Sequence, residues 1–151
     1  MKKIVLLLLF PLLLGAQEDL KENLDNKWIT SYDLALTRAA QEKKNVIVYF
    51  TGSDWCMPCI ALKRDFFDTP AFDPYAEAYI LLYIDIPRNS DLITPDLLKQ
   101  NKELASKLNR KGAVPLLKII NEDGNEIDAI TGYSMNADIK YHTKFLDKYM
   151  K

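Results

Sequence analysis

Hydrophobic and polar positions change their period several times along the chain, and the changes mark out elements. Leu34, Leu36, Ala39 and Ala40 give Trp28 to Lys44 a partial apolar face, and Ser31 can cap it, so the stretch predicts a helix. Val46-Ile47-Val48-Tyr49-Phe50 follows without polar alternation. Such a β-branched and aromatic run suits a strand buried on both faces. Thr51 to Asp54 reads as a turn, and Ile60, Lys63 and Phe67 place a helix from about Cys56 to Phe67. Asp68-Thr69-Pro70 interrupts it, and Ala71 to Glu77 reads as a further helical stretch. Tyr79 to Ile86 predicts a second buried strand, ended by Pro87, and a polar loop leads into a helix over residues 96–109. Val114 to Ile120 and Glu126 to Ile130 flank Asp123-Gly124, a strong hairpin signal. Gly132 closes that hairpin, and Ala137 to Met150 predicts a final helix.

The order is helix, strand, helix, strand, helix, strand, strand, helix. Strands that alternate with helices pair in parallel, whereas the last two form an antiparallel hairpin. The expected class is α/β, with a central mixed sheet and helices on both faces. No internal repeat, low-complexity tract or second domain stands out.

The first residues follow a different logic. Met1-Lys2-Lys3 is basic, Ile4 to Leu14 is apolar, and Gly15-Ala16 offers small residues for cleavage. The apolar run falls short of the roughly 20 residues needed to cross a bilayer as a helix. A secretory signal over 1–16 is the better reading, with a retained anchor as the alternative. Residues 17–27 then form a polar leader, and 28–151 the folded domain, which places the protein in the periplasm or otherwise outside the cytoplasm.

Removing sixteen residues leaves 135, enough for one domain with a substantial core, and moves the net charge from −1 to −3. A mildly acidic chain without a basic run is a poor match for nucleic acid. A hydrophobic content of 48% excludes a disordered chain. No cofactor motif or convincing carboxylate pair is present, so no cofactor is expected.

The chemistry lies in Trp55-Cys56-Met57-Pro58-Cys59, where a buried strand turns into a helix. Cysteines at i and i+3 of a helical turn stand about 5–6 Å apart at Cβ, slightly long for a disulfide, so small adjustments open and close one. Cys56 falls at the helix start, where unpaired N–H groups favour a thiolate, which makes it the expected nucleophile. Cys59 lies one turn inside as the resolving thiol. Pro58 is tolerated in the first turn because its missing N–H would have no partner there. The alternatives are a structural staple, which would remove only about 2 kcal/mol of unfolded-state entropy, and half a zinc site, which would need about four ligands. Redox chemistry is the stronger reading, and no metal is expected.

The segment FTGSDWCMPC, after a helix and a buried strand, resembles the thioredoxin superfamily. DWCMPC followed by FFDTPAF is similar to exported thioredoxin-like proteins and to the C-terminal domain of the thiol:disulfide interchange protein. The resemblance extends to Val114-Pro115, where the family places a cis proline facing the cysteines. It implies an extracytoplasmic thiol–disulfide oxidoreductase that reduces protein disulfides. Its substrate would lie along Val114 and Pro115 with Trp55 and Pro58 as an apolar floor. A membrane or periplasmic dithiol would supply electrons, and the chain would act as a monomer. The rival is a binding module on the same scaffold with an inert disulfide.

The family's buried aspartate and lysine fall on Tyr49 and Tyr83, and Leu116 stands where a threonine commonly follows the cis proline. Neither tyrosine can serve as a carboxylate base or a cation near neutral pH. Asp54, Lys63, Tyr49 and Tyr83 remain as possible modulators of the thiols, although Asp54 reads more readily as a solvated turn residue. His142 falls on the apolar stripe of the last helix and reads as a packed edge residue.

Overall fold

The computed structural model describes residues 27–150; the expected signal segment and the leader as far as residue 26 lie outside the described residues. The strands are β1 (Val46–Thr51), β2 (Ile80–Asp85), β3 (Leu116–Ile120) and β4 (Glu126–Thr131). The α-helices are α1 (Tyr32–Glu42), α2 (Met57–Leu62), α3 (Asp73–Ala78), α4 (Pro95–Leu108) and α5 (Lys140–Asp147). The sheet order is β2-β1-β3-β4, with β1 and β2 parallel and the other neighbours antiparallel. The α/β reading holds.

Alternation along the central strands decides what each face meets. Ile47, Tyr49, Leu81, Leu117 and Ile119 join Leu62, Phe66, Phe72 and Leu146 in one core cluster, beneath α2, α3 and α5. Val46, Val48, Phe50, Leu82, Ile84 and Ile120 form the second, against Ala35 and Ala39 of α1 and Leu104 of α4. All six residues of β1 are buried, as its unbroken apolar run requires.

Three boundaries differ from expectation. Ser31 does cap α1, its hydroxyl accepting the Leu34 N–H at 3.3 Å, but Trp28 to Thr30 is not helical. Ile29 instead bridges β2 in parallel, donating to Leu81 O at 2.7 Å and accepting from Tyr83 N at 2.8 Å. Edge pairing satisfies its backbone and buries Trp28 against Phe72, Phe67 and Tyr49, which outweighs helical periodicity. The helix after the cysteines is α-helical only to Leu62, then widens into a π-helical turn over Lys63–Phe67. The last helix begins at Lys140 rather than Ala137, because Ala137 has φ 59° and the Asp138 carboxylate accepts the Lys140 N–H at 3.0 Å.

Candidate active site

The turn joining β1 to α2 is tied down from several sides. Cys56 N–H donates to Gly52 O at 2.8 Å and Trp55 N–H to the same oxygen at 3.2 Å. Ser53 donates through N–H and Oγ to the Asp85 carboxylate at 2.9 and 2.6 Å, and Asn101 Nδ2 donates to Asp85 O at 2.8 Å. Trp55 Nε1 donates to Ile86 O at 2.9 Å, and the Arg88 guanidinium lies over its ring, 4.9 Å from the centroid. The ring folds back over Gly52, where a Cβ would stand 2.3 Å from Trp55 Cε2. That position therefore needs glycine for space.

Cys56 is the N-cap of α2, with extended backbone, and is joined to Cys59 by a disulfide with Cα atoms 5.2 Å apart. Its Sγ accepts the Cys59 N–H at 3.3 Å. The same donor would face a Cys56 thiolate after reduction. Both cysteines are largely covered, Cys56 at 4% and Cys59 at 1% exposure. Met57 projects into solvent, and Trp55 and Pro58 are half-buried beside it.

Pro115 follows a cis peptide bond from Val114 and stands one position beyond the Phe50↔Leu116 pair, level with the end of β1. Its carbonyl accepts from Gly132 N–H at 2.9 Å and Thr131 Oγ1 at 3.1 Å. Val114 packs against the cluster that holds both cysteines. Among the described residues, its own N–H and C=O have no hydrogen-bond partner.

Beside Cys59 lies a cleft of about 270 Å³ lined by Tyr49, Thr51, Ser53, Ile60, Lys63 and Tyr83. Tyr49 and Tyr83 are register partners on β1 and β2, so they lie side by side as the resemblance placed them. Tyr49 Oη donates to Cys59 O at 3.2 Å. Burial pushes the Tyr49 phenol up to about 12 and raises Tyr83 as well. No carboxylate lines this cleft among the described residues.

Lys63 reaches the cleft but is also paired to Asp68 at 2.6 Å. Asp54 is exposed, and its carboxylate accepts the N–H groups of Asn89 at 2.8 Å and Arg88 at 2.9 Å. Those contacts, that of Asn89 foremost, hold its carboxyl below the usual range. Asp54 is thus a loop clamp. His142 is buried edge-on to Tyr133, with burial lowering its pKa, as a packed residue should be. Sequence reasoning missed Gly52, Asp85 and Arg88. Gly52 read only as a turn residue; Asp85 and Arg88 reach the turn from 30 or so residues away, which no local pattern signals.

A sheet of this order with a disulfide at the start of the helix after β1 defines a thiol–disulfide oxidoreductase of the thioredoxin type. The chain belongs to the Thioredoxin-like family, whose profile matches residues 27–121. It is 29% identical over 116 residues to a disulfide bond reductase, DsbH, of Chlamydia pneumoniae, covering 76% of this chain and 68% of that protein. The thioredoxin-related protein DsbJ of the same organism is 24% identical over 107 residues, which span 70% of this chain but 30% of DsbJ. Among solved structures, a DsbH oxidoreductase superposes with a TM-score of 0.66 at 25% identity, over 80% of this chain and 81% of that one. A thioredoxin from Thermus thermophilus superposes at 0.58 and 21% identity, over 80% and 84% of the two chains.

Proposed function

We propose that the protein works outside the cytoplasm as a reductase of protein disulfides, with residues 28–151 as the working domain behind a signal segment at 1–16. The observation that carries the reading is the placement of the Cys56 sulfur at the start of α2, where it accepts the Cys59 N–H at 3.3 Å. That donor and the open helix end favour a thiolate, the attacking form.

In the reduced protein the Cys56 thiolate attacks one sulfur of a substrate disulfide. A mixed disulfide forms, and the other substrate sulfur leaves as a thiolate. Cys59 then loses its proton to water or to that leaving thiolate and attacks the Cys56 sulfur. The mixed disulfide breaks, the Cys56–Cys59 disulfide forms, and the substrate departs as a dithiol. A partner dithiol, membrane-bound or soluble, returns the two electrons.

The unpaired Val114 N–H and C=O can accept a substrate strand by main-chain hydrogen bonds. Trp55 and Pro58 form the floor beneath it, and Arg88 and Asp54 hold Trp55 in place. The resemblance to a disulfide bond reductase supports the reducing direction, and the basic start and apolar run within residues 1–16 support the export.

The test is a Cys59→Ser variant expressed in cells and recovered under acid quench. It should carry mixed disulfides with other proteins through Cys56. Recovering none would favour a binding module with an inert disulfide.

A further inference from the structure

The chain has a net charge of −1, yet between Lys99 and Lys118 it carries six cations and one acid. Lys107, Arg110, Lys111 and Lys118 gather around one cleft of about 520 Å³ on the α4 side of the sheet, whose lining residues Ala113 and Leu116 flank Val114 and Pro115 in the chain. Lys118, only 7% exposed, pairs with Glu126 at 2.6 Å. Lys107, Arg110 and Lys111 are exposed, and among the described residues none of them makes an ion pair.

The loop carrying them is held in one shape. Asn109, itself buried, donates through Nδ2 to Ala113 O at 2.8 Å and accepts the Ala113 N–H at 3.0 Å. Gly112 turns the chain with φ 63° and donates to Asn109 O at 2.8 Å. Arg110 and Lys111 therefore stand at fixed places just before Val114. A strand added along Val114 with its cysteine over Cys56 can continue past the Arg110–Ala113 loop toward this cleft. At about 3.3 Å per residue, side chains some three to five residues from the attacked cysteine reach it.

We propose that this cleft binds an acidic segment of the disulfide substrate, three to five residues from the cysteine under attack. The proposal rests on the reductase reading above and adds the substrate class. Unpaired cations along the path of a docking chain raise encounter rates with acidic chains and give discrimination that salt screens.

Two synthetic peptides test it, each with one internal disulfide. They differ only in three aspartates, or three asparagines, placed three to five residues from the first cysteine. In single turnover with the dithiothreitol-reduced, desalted protein, the acidic peptide should be reduced about tenfold faster, and 0.5 M sodium chloride should erase the preference. In a Lys107→Gln, Arg110→Gln, Lys111→Gln variant the ratio should fall to within twofold of unity. Fluorescence anisotropy of the same peptides, alkylated, on the oxidised protein reads the cleft without electron transfer. There the acidic peptide should bind at least fivefold tighter. Equal binding of the two peptides, or a ratio that survives the triple substitution, overturns the acidic-segment proposal. A preserved binding preference without turnover upholds the cleft and overturns the reductase reading alone.

Discussion

Gly52→Ala places a Cβ 2.3 Å from Trp55 Cε2, 2.4 Å from Nε1 and 2.6 Å from Cζ2. Ordinary carbon contacts begin near 3.5 Å, so the indole must move by about 1 Å. It is not free to do so. Its Nε1–H is spent on Ile86 O at 2.9 Å, and Arg88 covers its outer face at 4.9 Å. Losing the hydrogen bond costs about 0.5–1.5 kcal/mol, and losing the cation–π contact at a partly exposed site about 0.5–1 kcal/mol. Relaxing the backbone instead would disturb Gly52 O, which receives both Trp55 and Cys56 N–H groups. The expected destabilisation is about 2 kcal/mol, within the usual overpacking range of about 1–3 kcal/mol. Urea unfolding of the oxidised protein, followed by circular dichroism, reads it. In a Trp55→Ala background the same substitution should cost less than about 0.5 kcal/mol, because the clash has lost its partner. A cost below about 0.5 kcal/mol in the parent, or the full cost without Trp55, would refute the steric argument.

Three further outcomes follow from the same geometry. Tyr49→Phe removes a hydroxyl that donates to Cys59 O, an oxygen that also receives the Lys63 N–H; stability should fall by about 1 kcal/mol and the disulfide-reduction rate should stay within about threefold. A hundredfold fall, near 2.7 kcal/mol in the barrier, would expose a proton-transfer role for that phenol. His142 is held neutral by burial, so its folded pKa lies below the unfolded value near 6.5. Below pH 6.5 the unfolded chain takes up the proton first, and stability should fall by up to about 1.4 kcal/mol per pH unit until the folded pKa is passed. A His142→Leu variant should lose that slope between pH 7 and 5.5, a window above the titration of the low-pKa aspartates; an unchanged slope would place its origin elsewhere. In the reduced protein Cys56 should be alkylated before Cys59 and titrate below the free thiol value of about 8.5; faster labelling of Cys59 would reverse their roles.

What could be read in advance was what local pattern records. The unbroken apolar run of β1 requires burial on both faces, and the alternation of helix and strand makes β1 and β2 parallel. Asp123-Gly124 turns the hairpin, and the CxxC spacing at a strand-to-helix turn places two sulfurs within reach of one bond. Long-range competition hid the rest. Trp28 and Ile29 fit a helical stripe, but pairing with β2 and an aromatic nest of Phe67, Phe72, Tyr49 and Tyr83 claim them. Asp54 looked like a free turn carboxylate until the Arg88 and Asn89 N–H groups closed on it. The paired tyrosines were visible as departures from the family pattern. Their consequence, a cleft beside Cys59 with Lys63 at its rim, needed the register of β1 on β2.

The central claim is that Cys56 and Cys59 form a reducing couple, and the equilibrium reduction potential of that pair tests it most directly. Met57 and Pro58 place no charge between the two sulfurs. The nearby Arg88 is held over Trp55, its N–H bound by the Asp54 carboxylate. A reduced form stabilised only by the helix start and the Cys59 N–H, with no cation among the described residues set against the Cys56 sulfur, makes a weaker oxidant than one with a charged partner. Titrated against dithiothreitol or glutathione series, the pair should give a potential nearer −270 mV than −120 mV, about the values of a thioredoxin and of a strong periplasmic oxidant. A potential above about −180 mV would contradict the reducing direction.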